Sequence, residues 1–184
     1  MKLIGLYGLA RSGKNTVAGF LEERGYSEAS FAHTLKEAAR TIFGFTKEQV
    51  YGDKKDEVDV FWGFSPRWAL QVLGTDCIRN HIGNDVWIKA LFKKINLIFA
   101  RSPESKFVVS DVRFKNEAEA IREAGGVLWK VVRSDHDGLI GVSGSHASEV
   151  DLANLSDDYW DGIISAKTGE LDWMRTQAFE LLEE

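Results

Sequence analysis

Residues 8–14 carry two glycines and a lysine at the spacing of a loop that binds phosphate. The stretch reads G-L-A-R-S-G-K, and it lies between an apolar run at residues 2–7 and a helical pattern. Glycines let backbone N–H groups turn toward an anion, and the start of a helix adds positive potential there. Lys14 would reach the outer phosphates of a nucleotide. A glycine turn that merely joins strand to helix is the alternative, and the register of Gly8 and Gly13 with the lysine argues against it.

The hydroxyl that usually follows the lysine of such a loop is displaced by one position. Asn15 stands where the common pattern has Ser or Thr as a magnesium ligand, and Thr16 comes next. Gly13-Lys14-Asn15-Thr16 resembles the G-K-x-T pattern of nucleoside monophosphate kinases such as adenylate kinases. The sequence therefore favours a kinase of small phosphorylated acceptors over a GTPase, with Thr16 as a predicted magnesium ligand.

Composition and charge restrict the class of protein. The chain has 184 residues, of which 44% are apolar and 28% charged, and its net charge is −5. This balance is typical of one soluble domain, and the negative charge argues against sequence-independent binding of nucleic acid. One cysteine excludes an intrachain disulfide, and no apolar run reaches the length of a signal peptide or a membrane span. We therefore expect a cytoplasmic protein (host cytoplasm if phage-encoded) that contacts neither nucleic acid nor membrane.

Apolar runs alternate with helical spacings along the chain. Strands are predicted at 2–7, 107–111, 127–132 and 161–165, and helices at 16–24, 34–43, 65–80, 85–100, 116–124, 147–153 and 170–183. This alternation predicts an α/β fold in three layers, with helices on both faces of a parallel sheet, as in P-loop NTPases. We expect a single domain over 1–184, with the helical stretch at about 30–100 inserted over the strand ends.

Charged side chains follow the predicted strands. Asp111 ends the strand FVVSD and is a candidate to hold magnesium directly or through water, although a turn cap is the alternative. A phosphorylated acceptor needs cations rather than a general base, because its attacking oxygen is already ionised. Ligands of open α/β sheets bind past the strand ends. The candidate cations are Lys36, Arg67, Arg79, Arg113 and Arg133, each of which by itself is more often a solvated surface charge.

Four further stretches make the resemblance specific. They are SFAHTLKEAARTIFG, SPRWALQVLGTDCIRNHIGNDVW, VVSDVRFKNEAEAIREAGG and SHASE. Together with the glycine loop they resemble, in order, the blocks of bacteriophage-type deoxynucleoside monophosphate kinases. The resemblance implies an adenylate-kinase-like fold and transfer of the γ-phosphate of ATP to a deoxynucleoside monophosphate, with Mg²⁺ as the cofactor. It also implies a homodimer, which exposed-looking aromatic residues permit, and a lid at about 134–149.

The motifs and the resemblance together imply roles for individual residues. The predicted catalytic residues are Lys14, Asp111, Arg113 and Arg133, and the predicted magnesium ligands are Thr16 and Asp111. The predicted ATP-binding residues are Gly8, Arg11, Ser12, Gly13, Lys14, Asn15, Thr16 and Lys167. The predicted acceptor-binding residues are Lys36, Arg67, Trp68, Gln71, Arg79, Arg113, Asn116, Glu117 and Glu149. In this set Trp68 stacks on the base, with core packing as its alternative, and three polar side chains read base edges.

Two departures and two other classes of function bear on this reading. Asn15 stands where the family more often has Asp, and residues 166–169 replace an Asn-Asp-Gly type turn expected near the adenine of ATP.

A kinase of hydroxyl acceptors, such as a shikimate-, gluconate- or dephospho-coenzyme-A-type enzyme, would need a carboxylate base near 30–36, and none stands out there. A nucleotide-binding switch would need a base-recognition motif such as N-K-x-D, which the sequence lacks.

Overall fold

The computed structural model describes residues 2–135 and 151–183. The elements of the first part are β1 (Lys2–Tyr7), α1 (Lys14–Glu22), β2 (Tyr26–Ala29), α2 (Ala32–Phe43), α3 (Lys47–Tyr51), a 3₁₀ turn (Asp53–Lys55), α4 (Pro66–Gln71), a π-helix (Val72–Arg79) and α5 (Val86–Phe99). The remaining elements are β3 (Lys106–Val109), α6 (Lys115–Glu123), β4 (Val127–Arg133), a 3₁₀ turn (Asp157–Tyr159), β5 (Gly162–Ala166) and α7 (Leu171–Glu180). They form two compact units, one of residues 1–30 with 96–184 and one of residues 31–95.

The first unit contains a five-stranded parallel sheet in the order β2-β3-β1-β4-β5. The prediction of a parallel sheet is confirmed, and its four predicted strands are present. The sequence prediction missed β2, because this edge strand has the sequence YSEA and buries fully only Tyr26. Ser27 and Glu28 are exposed, so the strand shows no apolar run from which it could be recognised.

Helices cover both faces of this sheet, which confirms the three-layer α/β/α arrangement. On one face Ile4 and Leu6 of β1 pack in a core with side chains of α1 and α7, among them Leu21 and Met174. On the other face α6 lies so close to β1 that a Cβ added at Gly5 would be 2.6 Å from Ile121 Cδ1. The glycine at this position is therefore required by the close approach of the helix to the strand.

The second unit is helical and has a small core of its own. Its buried residues are Ala39, Phe45, Val50 and Ala69, and Phe43, Phe64, Leu70 and Leu73 pack against them. The helix predicted over 65–80 is present, and its second half is the π-helix, a form that the sequence did not indicate. There a Cβ at Gly74 would be 2.5 Å from Leu35 Cδ2, and the Trp87 indole donates to the Gly74 carbonyl at 3.0 Å. A π-helix is rare in proteins and is frequent at functional sites.

Several predictions fall outside the described residues. These are residues 147–150 of the helix predicted at 147–153, Glu149 and nearly all of the lid predicted at 134–149, while residues 151–153 form a turn. Within residues 2–135 and 151–183, no helix has the length and apolar character required to cross a bilayer.

The start of α4 gives a stability prediction. Ser65 caps this helix by accepting a hydrogen bond from the Trp68 backbone N–H at 3.3 Å, with Pro66 in the first turn, as the sequence predicted. Replacing Ser65 with alanine should lower the free energy of unfolding by about 1 kcal/mol in urea denaturation, because one backbone donor loses its partner. Ser156→Ala is the control, since Ser156 precedes a 3₁₀ turn without making a side-chain cap. Equal losses in the two variants would contradict the capping role.

Candidate functional site

The predicted nucleotide-site residues of the first unit follow the carboxyl ends of neighbouring strands. β1 pairs with β3 through Gly5 and Val109, and with β4 through Tyr7 and Lys130. The parallel register therefore brings the loop after β1, Asp111 after β3 and the end of β4 to one edge of the sheet. This is the edge at which open α/β sheets bind their ligands.

The loop between β1 and α1 has the backbone conformation of a phosphate-binding turn. Gly13 precedes the helix with φ = 104°, a left-handed conformation that favours glycine. Arg11 also has a positive φ of 63°, which is uncommon for a residue with a side chain. The loop thus leads directly into the start of α1, and the N-terminus of a helix favours an anion.

Gly8 is fixed by contacts within the loop and with β4. A Cβ added there would be 2.4 Å from the Val131 carbonyl oxygen and 2.5 Å from Ser12 Oγ, so no larger residue fits without displacing backbone. Ser12 is buried, and its hydroxyl has no hydrogen-bond partner among the described residues. A buried hydroxyl left in this state can donate to an incoming ligand.

Lys14 folds back over its own loop. Its Nζ donates to the Gly8 carbonyl at 2.6 Å and to the Leu9 carbonyl at 2.8 Å. These bonds hold the ammonium group against the backbone of the loop that would bind a phosphate. A phosphate oxygen is a stronger acceptor than a carbonyl because it is charged. The ammonium group can therefore exchange its carbonyl partners for a phosphate oxygen while it stays beside the loop.

Asp111 lies two residues beyond β3 and is oriented by a hydroxyl group. Ser30 Oγ donates to Asp111 Oδ2 at 2.7 Å, which fixes the orientation of the carboxylate. Thr16 lies in the first turn of α1 and is half-buried. A carboxylate and a threonine hydroxyl are oxygen ligands of the kind that Mg²⁺ prefers, so their chemistry fits this metal.

Two backbone contacts tie the end of β4 to the loop after β5. The Ser134 N–H donates to the Ala166 carbonyl at 3.1 Å, and the Thr168 N–H donates to Asp135 Oδ2 at 2.9 Å. The bond from Thr168 holds the pKa of Asp135 below its usual range, and the charge of Arg133 acts in the same direction. The two segments that carry Arg133 and Lys167 are thereby held together.

Arg133 and Lys167 themselves differ in environment. The Nε of Arg133 is buried and has no hydrogen-bond partner within residues 2–135 and 151–183. Lys167 is exposed, and its backbone N–H donates to Glu170 Oε2 at 2.8 Å in a tight turn. A buried guanidinium donor is costly to leave unsatisfied, which is the arrangement expected of a group that contacts a ligand.

The start of α6 carries three predicted acceptor-binding residues. Arg113 is exposed, and Asn116 is half-buried. Glu117 is 4% exposed and accepts hydrogen bonds from the backbone N–H groups of Arg113 at 2.9 Å and Phe114 at 3.2 Å. Its carboxylate therefore stabilises the start of the helix and the backbone of Arg113. The role of Glu117 in reading a base stays a prediction.

In the second unit, two of the predicted acceptor-binding cations have identified partners and the third is nearly buried. The guanidinium of Arg67 makes a two-pronged ion pair with Asp56, in which Nη2 is 3.1 Å from Oδ2. The ammonium of Lys36 lies over the ring of Tyr51, 4.6 Å from its centroid. Arg79 ends the π-helix and is only 8% exposed. A nearly buried arginine is unusual unless it has partners, so the burial of Arg79 indicates a specific role for its guanidinium group.

Trp68 presents an open aromatic face. It is 51% exposed, and its ring centroid is 5.0 Å from that of Phe64. Gln71 ends α4 one turn further on and is half-buried. The exposure of Trp68 is more typical of a residue that stacks on a ligand than of one that fills a core.

The structure adds three residues to the predicted set. Ser30 orients Asp111, Asp135 fixes the loop after β5, and Tyr51 holds Lys36. None has a sequence signal of its own, because each acts on a side chain or loop that is distant along the chain. Asn15 is exposed at the start of α1, and Glu149 lies outside the described residues.

Comparison with known proteins establishes the family. A model of the deoxynucleotide monophosphate kinase family matches residues 45–174, which is more than half of the chain. The chain belongs to the deoxynucleotide monophosphate kinase family. It is accordingly a kinase that acts on small nucleotides, and the family predicted from the glycine loop and the four further stretches is confirmed.

Relatives of this deoxynucleotide monophosphate kinase occur in viruses. A protein of Acanthamoeba polyphaga mimivirus that is named as a deoxynucleotide monophosphate kinase is 39% identical in an alignment of 168 residues, with a coverage of 84% for each chain. The deoxynucleoside-5'-monophosphate kinase of Escherichia phage T5 is 28% identical in an alignment of 133 residues, with a coverage of 65% for this chain and 50% for the phage protein.

Solved structures resemble this kinase in fold. TT1252 from Thermus thermophilus superposes with a TM-score of 0.51 at 17% identity, covering 98% of this chain and 96% of its own. Dephospho-CoA kinase from Campylobacter jejuni superposes with a TM-score of 0.56 at 13% identity, covering 100% and 97%. At these identities the likeness shows the α/β P-loop fold alone, and it does not favour a hydroxyl acceptor for this kinase.

Proposed function

We propose that the chain transfers the γ-phosphate of ATP to the phosphate of a deoxynucleoside monophosphate, which yields a deoxynucleoside diphosphate and ADP. The observation that carries this proposal is the loop from Gly8 to Thr16, with Lys14 folded over it and Asp111 at the end of the neighbouring strand. These groups suit the donor triphosphate, and family membership supplies the class of acceptor.

On the donor side, we assign the outer phosphates of ATP to the loop. Its backbone N–H groups, the Ser12 hydroxyl and the Lys14 ammonium bind the phosphate oxygens, and Arg11 and Asn15 flank them. The Arg133 guanidinium neutralises charge that develops on the transferring phosphoryl group, which is the main protein contribution to such a reaction. Lys167 lies on the loop that contacts the adenine.

A magnesium ion fits the donor site. Thr16 and Asp111 would hold it, Asp111 directly or through water, while Ser30 fixes the orientation of the carboxylate. When bound, the ion neutralises charge on the triphosphate and orients its terminal phosphate. The carboxylate of Asp111 thus serves the metal and is not needed as a base, because the acceptor phosphate is already ionised.

The metal assignment gives a prediction. Asp111→Asn keeps the size of the side chain and its contact with Ser30 but removes its negative charge. We expect the Mg²⁺ concentration for half-maximal activity to rise by about 10-fold, which corresponds to the usual strength of one charged metal contact. The measurement is initial rate against Mg²⁺ at saturating ATP. Asp158→Asn is the control, since Asp158 is exposed in a 3₁₀ turn. An unchanged Mg²⁺ requirement in Asp111→Asn would contradict the assignment.

On the acceptor side, we assign the monophosphate to four of the predicted cations. Lys36, Arg67, Arg79 and Arg113 bind its oxygens, and Arg113 also contacts the transferring phosphoryl group. The aromatic face of Trp68 stacks on the base. Such stacking accepts any of the four bases, because every base has a π-face. Base edges are hydrogen-bonded by Gln71, Asn116 and Glu117, and Glu149 belongs to the same acceptor-binding set.

The partners we propose are ATP and a deoxynucleoside monophosphate, with no nucleic acid and a cytoplasmic location. Two copies form a homodimer in this proposal. Exposed apolar residues in the second unit suit such an interface, since Val60 is 99% exposed and Phe61 is 84% exposed. Light scattering during gel filtration at several concentrations would separate a dimer from a monomer.

The test of the proposed function is an ADP-release assay with ATP and Mg²⁺. The acceptors are dAMP, dCMP, dGMP and dTMP, with their ribose counterparts and with shikimate and gluconate as hydroxyl acceptors. Rapid turnover with one or more deoxynucleotides, and none with the hydroxyl acceptors, is the expected result. Turnover with hydroxyl acceptors alone would overturn the proposal.

A further inference from the structure

A cluster of polar side chains surrounds Tyr51 in the second unit. His33, Lys36, Glu37 and Arg40 lie at helical spacing on one face of α2, and Tyr51 ends α3 beside them. Tyr51 contacts His33, Lys36 and Glu37, which all belong to the second unit. The sequence analysis predicts a role for Lys36 and none for Tyr51.

The hydroxyl of Tyr51 is fixed on both sides. It donates to Glu37 Oε1 at 2.9 Å and lies 3.1 Å from His33 Nδ1. A phenol has one proton, and here it is used in the bond to the carboxylate. The contact with His33 is therefore a hydrogen bond in which Nδ1 carries the proton and the Tyr51 oxygen accepts.

Glu37 completes this arrangement. Arg40 Nη1 donates to both oxygens of the carboxylate, at 2.9 and 3.2 Å. The hydrogen bond from Tyr51, with the charge and bonds of Arg40, keeps the pKa of Glu37 below its usual range. Burial and the neighbouring carboxylate raise the pKa of Tyr51 to about 12. The phenol is thus neutral and the carboxylate ionised at every pH at which the enzyme would work.

The fixed ring in turn holds a cation. The Nζ of Lys36 lies 4.6 Å from the ring centroid, within the range of a cation–π contact. An aromatic face attracts an ammonium group without neutralising its charge. A lysine held in this way is restricted in its rotamers and can still attract a phosphate.

We propose that Tyr51 is a positioning residue for acceptor binding, whose ring, fixed by Glu37 and His33, holds Lys36 ready for the phosphate of the deoxynucleoside monophosphate. This inference rests on the proposed function, because it requires Lys36 to bind that phosphate. Its consequence is that Tyr51 governs the KM for the acceptor and leaves the KM for ATP unchanged.

The test is a double-mutant cycle on Tyr51 and Lys36 with steady-state kinetics for both substrates. Tyr51→Leu should raise the acceptor KM by about 5- to 10-fold, as expected from loss of one cation–π contact and the rotamer restriction it imposes. Tyr51→Phe keeps the ring and loses the hydroxyl, so its acceptor KM should rise by about 2-fold. In a Lys36→Met background, Tyr51→Leu should have no further effect, since the group it positions is already gone.

The possible outcomes separate the inference from the proposed function. Trp173→Leu, at an exposed aromatic residue of α7, should change neither KM and serves as the matched control. Additive effects of Tyr51→Leu and Lys36→Met, or equal rises in both KM values, would overturn the positioning role while leaving the kinase activity of the wild type intact. No change in acceptor KM in Lys36→Met would likewise overturn it. Absence of turnover in the wild type would instead contradict the proposed function itself.

Discussion

Replacing Lys14 with alanine is expected to lower kcat/KM for phosphorylation of the acceptor by about 10³-fold, the loss typical of one charged donor aimed at a transferring phosphoryl group. Lys14 already lies over its loop, where its Nζ donates to the Gly8 and Leu9 carbonyls. The variant loses the ammonium group but keeps the glycines that shape the loop, so the backbone N–H groups still bind ATP. Initial rates at varied acceptor concentration and saturating ATP measure the loss of kcat/KM, and calorimetry measures the affinity for ATP that the variant retains.

Lys89→Ala is the control for this prediction. Lys89 is an exposed helical lysine whose Nζ is 2.6 Å from Asp85 Oδ2, so the variant removes a lysine of similar helical context without touching the loop. Its kcat/KM should stay within about 2-fold of the wild type, because an exposed ion pair contributes little. A Lys14→Ala enzyme that also retained nearly full kcat/KM would contradict the assignment of the loop to ATP.

Arg113→Ala is expected to lower kcat by about 10²-fold and to leave the KM for ATP unchanged, because the guanidinium acts on the phosphoryl group in transit. The side chain is exposed, and the backbone N–H of Arg113 is fixed by the buried carboxylate of Glu117 at 2.9 Å. Arg113→Lys should recover only part of the rate, since an ammonium cannot contact two oxygens in one plane. Single-turnover kinetics would place the loss in the chemical step.

Arg101→Ala provides the comparison for Arg113, since Arg101 is an exposed arginine of the same unit that follows α5. It should be kinetically silent. If Arg113→Ala raised both KM values and left kcat alone, Arg113 would be a binding residue only, and the charge stabilisation would have to come from Arg133.

The donor half of the site was predictable because its signal is local. The two glycines, Lys14 and Thr16 lie within nine consecutive residues, and strand, loop and helix follow one another directly in sequence. Asp111 was predictable for a similar reason, since it ends a run of apolar residues. The loop backbone then follows from steric requirements at Gly8 and Gly13, which no other residue type meets as well.

The supporting residues were not predictable, because their contacts join distant segments. Ser30 follows β2, an edge strand with two exposed polar residues and no apolar run. Tyr51 lies in α3, a short helix that the sequence did not indicate. Its partner Lys36 lies in α2, which was predicted. Residue types alone did not specify which aromatic ring would hold which cation.

The π-helix is a further feature that local propensity did not reveal. Residues 72–79 were predicted as helix, and nothing in their sequence indicated the π form. The wider turn depends on packing within the second unit, where Gly74 lies against Leu35 and accepts a hydrogen bond from Trp87. Tertiary contacts of this kind override the small differences between helix types.

The most direct test of the central claim is to follow the phosphate itself. ATP labelled at its γ-phosphate is incubated with the enzyme, Mg²⁺ and each deoxynucleoside monophosphate, and the products are separated. We predict label in the deoxynucleoside diphosphate, dependent on both Lys14 and Arg113. Label found only in inorganic phosphate, or remaining in ATP with every monophosphate, would contradict the assignment of a deoxynucleoside monophosphate as the acceptor.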